Sequence, residues 1–82
     1  MEGNFLEKLQ ENNMLDFYLV SLISSDSLIN LETCEKHLKK MQEVKEYMKT
    51  ANLNNKEKYA EMIEKGEEII KRDLEFYQKK QN

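Results

Sequence analysis

No proline occurs anywhere in this 82-residue chain, and only two glycines do, Gly3 and Gly66. A proline costs about 3 kcal/mol inside a helix and a glycine about 1 kcal/mol, so little here opposes helix formation. Leu, Lys, Glu, Met and Gln, which lose little side-chain freedom in a helix, fill most of the chain. The sequence therefore predicts an all-α fold, and its length predicts one domain. A chain of this size buries only about 60–65% of its unfolded surface, so a partner would add to a modest intrinsic stability.

Short polar residues mark where the helices stop. The run from Ser24 to Ser27 and the run from Asn52 to Asn55 compete for backbone hydrogen bonds and read as loops. They divide the chain into three predicted helices, at about 5–24, 31–51 and 55–78. Asn4 with Glu7 and Asn54 with Glu57 have the spacing of capping boxes. Asn30 is the preferred cap of the second helix, with Glu32 against its positive end. The pair Asn12-Asn13 is a weak point at which the first helix bends or breaks.

The second and third helices each carry one apolar stripe. In the second it is Leu31, Cys34, Leu38, Met41, Val44, Met48 and Ala51, at gaps of three and four. In the third it runs from Tyr59 through Ile63, Gly66 and Ile70 to Phe76 and Tyr77. The short connection predicts an antiparallel hairpin with a core of Leu31, Leu38, Met41, Met48, Tyr59, Ile63, Gly66 and Ile70. A turn centred on residues 53 and 54 sets Met48 opposite Tyr59, Val44 opposite Ile63, Leu31 opposite Phe76 and Met41 opposite Gly66, where the missing side chain leaves room. Outside the stripes, Glu–Lys and Glu–Arg pairs four apart, such as Glu32–Lys36, Glu61–Lys65, Glu68–Arg72 and Glu75–Lys79, read as solvated helix faces.

The first helix does not fit this pattern. Eight of the ten residues from Met14 to Ile23 are apolar. Leu15, Tyr18, Leu19, Leu22 and Ile23 form one face, wide enough to pack on the hairpin. Met14, Phe17 and Val20 fall on the other side, with Ser21 and Ser24. Three explanations fit: a homodimer completing a four- or six-helix assembly, a docking site for a different protein, or a central helix that the hairpin covers on both sides. The reading adopted is an interaction surface at Met14, Phe17, Val20, Ser21 and Ser24, in a three-helix assembly whose first helix packs beside the hairpin and which dimerises into a larger bundle.

Composition narrows the function classes. Charged residues make up 35% of the chain, yet the net charge is only −3 and the isoelectric point is near 5.2. Nucleic-acid-binding domains usually carry a basic stripe and a value above about 9, so nucleic acid is a disfavoured partner. The longest apolar run is too short for a membrane span, which needs about 20 residues. Neither a basic leader nor an apolar segment follows Met1, so no signal peptide is expected, and a lone cysteine, Cys34, fits a reducing compartment. The expected location is the cytoplasm, or the host cytoplasm if the chain is viral. All but one of its basic residues are Lys, a bias typical of AT-rich genomes such as those of many phages.

Nothing in the sequence builds a catalytic centre. There is no glycine-rich phosphate loop, the carboxylates alternate with lysines, and no small-molecule substrate or cofactor is expected. Cys34 and His37, three apart, would supply four zinc ligands across a dimer; the simpler reading is a small core residue and a histidine at the stripe edge. The five methionines and four tyrosines read as core and core-edge residues. The function expected is non-enzymatic: a regulator, inhibitor or adaptor, of phage or mobile-element origin, that forms a homodimer and docks on a larger protein. The alternatives are a structural or chaperone-like subunit with an obligate partner chain, and a dimeric regulator associated with nucleic acid.

Overall fold

A computed structural model describes residues 2–24, 26–51 and 55–81, with side chains between residues 5 and 80 of those spans. The described residues are all-helical, in four helices: α1 (Glu2–Glu11), α2 (Leu15–Leu22), α3 (Leu31–Thr50) and α4 (Lys56–Gln81). The predicted first helix is thus two. It breaks because Asn13 takes a left-handed backbone, with φ at 57°. The Asn13 N–H donates to the Gln10 carbonyl at 3.1 Å and the Met14 N–H to the Leu9 carbonyl at 2.7 Å, a Schellman ending with asparagine in the left-handed position. α1 already begins at Glu2, so Asn4 lies within it and does not cap it. The cap expected at Asn54 lies outside the described residues.

The start of α3 is more tightly specified than its sequence suggested. Asn30 Oδ1 accepts the Thr33 N–H at 2.8 Å, and Thr33 Oγ1 accepts the Asn30 N–H at 3.1 Å. Thr33 thereby fills the role in the capping box that Glu or Gln usually takes. α4 continues to Gln81, beyond the end predicted near residue 78. Its 26 residues make a rod of about 39 Å.

α3 and α4 pack along one another, antiparallel, and α2 lies across both. The core joins Leu6 of α1, Leu15, Leu19 and Leu22 of α2, Leu28, Cys34, Met41, Val44 and Met48, and Ile63 and Ile70 of α4. Gly66 is buried with its open side toward Met41, as the trial register required. Of the predicted hairpin core, Leu38 and Tyr59 are only half-buried at its edge, and Leu31 is half-buried outside it. Phe76 does not pack into the hairpin; it is 59% exposed. Toward the α4 C-terminus Tyr77 rather than Phe76 turns inward and donates to the Leu28 carbonyl at 3.1 Å.

Few of the expected surface pairs close. Glu75–Lys79 does, at 3.4 Å; among the described residues the ion pairs that link different helices are Lys45–Glu67 at 3.3 Å and Lys58–Asp16 at 3.1 Å. Long side chains on a wet helix face gain little from fixing one geometry.

Candidate functional site

α2 is short, and its sequence gives it two apolar sides. Leu15, Leu19 and Leu22 are buried beneath it. Their spacing of four and three uses one narrow arc, which leaves Phe17 and Val20 on the arc turned away. Phe17 is 68% exposed, Val20 53% and Met14, at the N-terminal end of the helix, 45%. The hairpin covers none of the three. Helical spacing sets Met14, Phe17, Val20 and Ser21 on one continuous strip.

Phe5 extends this strip from α1. It is 46% exposed, and its ring meets Tyr18 edge-on at 5.3 Å between centroids, a favoured aromatic geometry. The sequence reading missed Phe5 because it placed apolar faces only for residues 14–23 and none for the segment before the weak point at Asn12-Asn13. Plotted as a separate helix, α1 buries Leu6 and half-buries Leu9, and Phe5 falls beside that face.

The two serines assigned to the surface serve the end of α2. Ser21 Oγ donates to the Tyr18 carbonyl at 2.7 Å, and Ser27 Oγ donates to the Ser21 carbonyl at 2.7 Å. Ser24 Oγ, half-buried, accepts the Asp26 N–H at 3.2 Å. His37 completes this arrangement: its Nδ1 lies 3.1 Å from the Leu22 carbonyl. A carbonyl only accepts, so Nδ1 carries the proton. The last carbonyls of a helix lack intrahelical donors, and these contacts supply them.

The acidic residue of the apolar window, Asp16, holds α2 to the start of α4. Its Oδ2 accepts from Lys58 Nζ at 3.1 Å. Oδ1 is shut from solvent without a hydrogen bond of standard geometry, beside the Tyr59 hydroxyl. That hydroxyl does most to hold the Asp16 carboxyl below its ordinary range; burial opposes it, and Lys58 adds to it. The Tyr59 hydroxyl is pushed up in turn, first by Asp16 and then by burial.

Cys34 is fully buried. Burial pushes its thiol up, and the charge of Asp73 adds to this, the opposite of what a nucleophile needs. Among the described residues no three His, Cys, Asp or Glu side chains converge as metal ligands, and no helix is long and apolar enough to cross a membrane. No protein-family model, no curated protein and no solved structure matches the chain, so the strip on α1 and α2 stands on its own geometry.

Proposed function

We propose that this chain is a non-enzymatic interaction protein, a small regulator, inhibitor or adaptor that docks on a larger protein through the strip formed by Phe5, Met14, Phe17 and Val20. The observation that carries this reading is the exposure of Phe17 and Val20 on a helix whose opposite side is already buried. Single exposed apolar residues are ordinary on a protein surface. Four large ones along one strip, two of them aromatic, offer the adaptable contact that partner helices and grooves use. The reading places the chain in the cytoplasm, or in a host cytoplasm if it is viral, and a phage-encoded blocker of a host protein fits it.

Site-specific crosslinking in the source cells tests it. A photo-reactive phenylalanine analogue in place of Phe17 is expected to form an adduct with one larger protein. The same probe at Lys36, on the exposed side of α3, is expected to form none. Adding Val20→Asp should abolish the adduct while leaving the helical circular dichroism intact. No adduct at position 17, or equal adducts at both positions, would remove this function.

A further inference from the structure

A groove runs between α1 and α3, away from the strip just described. Its larger part is an open hollow of about 490 Å³, with Leu6 and Tyr47 among its walls. A smaller part of about 370 Å³ adjoins it through Tyr47 and Thr50 and is bordered by Glu7 and Glu11. The groove is therefore apolar in its floor and acidic at its rim. Glu46 is matched by Lys49 at 3.1 Å, and Lys39 also lines the larger part. Glu7, Glu11 and Glu43 form no ion pair among the described residues. Glu43 Oε2 is enclosed and lacks a hydrogen-bond partner.

The same chain carries a surface of the opposite character. Arg72, Phe76 and Lys80 follow at intervals of four along α4, so they share one side of the helix. Phe76 is largely exposed, and Lys80 Nζ lies over its ring at 6.0 Å. Of the nearest acids, Asp73 Oδ1 lies 3.6 Å from Arg72 Nε, a long contact that leaves the Arg72 side chain 75% exposed, and Glu75 is taken by Lys79.

We propose that the α1–α3 groove receives the Arg72–Phe76–Lys80 stripe of a second copy of this chain. Phe76 covers the apolar floor at Leu6 and Tyr47, and the two cations meet Glu43 and the Glu7–Glu11 rim. Each copy carries both surfaces, so the contact can close as a reciprocal two-fold pair. This goes beyond the docking function above and leaves the α2 strip open for a target. None of the residues tested below belongs to that strip, so the two readings fail separately.

Charge reversal on either surface, followed by mixing, tests the pairing. By sedimentation equilibrium at low salt the parent chain is expected to dimerise, and added salt to weaken the dimer. Glu7→Lys with Glu11→Lys, or Arg72→Glu with Lys80→Glu, should each raise the dimer dissociation constant at least about tenfold, because like charges then face one another. An equimolar mixture of the two variants restores opposite charges at both contacts and should recover the dimer. Circular dichroism checks that each variant is helical, and Phe76→Ser reads the same contact without a charge change if one is not. A parent that stays monomeric at low salt, a variant that dimerises like the parent, or a mixture no better than its components overturns the proposal.

Discussion

Met41 folds its terminal methyl over Gly66: Cε stands 2.5 Å from where a Cβ on that glycine would be, with Met41 Sδ at 3.3 Å and Ile23 Cγ2 at 3.2 Å. A glycine in mid-helix gives up about 1 kcal/mol against alanine. Here the missing methyl lets the end of α2 and the middle of α3 close on α4. Gly66→Ala is expected to destabilise the chain by about 1 kcal/mol, because overpacking a closed core outweighs the gain in helix propensity. In a Met41→Ala background the same substitution should turn neutral or stabilising. Urea unfolding of the four chains measures this as a double-mutant cycle; equal effects of Gly66→Ala in both backgrounds would show that Met41 is not the obstacle.

The joint at Asn13 predicts a simple ranking. Its φ of 57° suits glycine, suits asparagine less well and costs alanine about 1–2 kcal/mol. Asn13→Gly should be neutral or slightly stabilising, and Asn13→Ala should lose about 1 kcal/mol. Thermal unfolding separates the two. Equal stability would mean that α1 and α2 do not need the left-handed joint.

Tyr47 fastens α1 to α3 through a hydrogen bond from its hydroxyl to Gln10 Oε1 at 2.5 Å. The bond spans two elements that otherwise touch little. Tyr47→Phe is expected to cost about 1 kcal/mol, felt mostly in α1. Amide hydrogen exchange should quicken at Leu6 and Leu9 while Val44 and Ile70 keep their protection. Uniform quickening across all four helices would show that the bond supports the whole fold rather than the attachment of α1.

Acid should loosen the grip of α2 on α4. The folded-state pKa of Asp16 lies below its ordinary value of 3.8. Its contribution is therefore present above that value and is lost as the pH falls toward the lower folded one. Tyr59 has the opposite sense: raised above its ordinary 10.0, it contributes below pH 10 and loses that contribution in stronger base. In thermal melts between neutral pH and about pH 2, Asp16→Asn should flatten the acid limb, and Tyr59→Phe should flatten part of it. An acid limb unchanged by Asp16→Asn would rule out this carboxylate as its source.

Much of the hairpin is legible in the residues themselves. The stripes of α3 and α4 are narrow and their connection is short, so counting from one turn position sets Met41 against Gly66. The cap at Asn30 is legible for the same local reason. The course of the first helix is not, because the direction of α1 depends on the backbone angle of a single residue, Asn13. Either a kinked helix or a full break satisfies the Asn12-Asn13 pair, and only the full break buries Leu6 and leaves Phe5 beside Tyr18. Leu28 was missed because a loop residue folds back into the core, and Phe76 was misplaced because counting facing pairs does not decide which of two adjacent aromatics turns inward, a place that Tyr77 takes. Exposure at Phe17 and Val20 followed from helical angles, since the buried arc of Leu15, Leu19 and Leu22 is too narrow to include them.

The bond between Tyr47 and Gln10 joins positions 37 residues apart, whereas α3 and α4 follow one another directly. Closing a long loop is entropically slower than zipping neighbours. Because α3 and α4 zip outward from one short connection, the expected order is that these rods pair first and α1 docks last. Undocking of α1 would bare Leu6 and the hollow beside it, so proteolytic nicking is expected near α1 before it reaches α3 or α4.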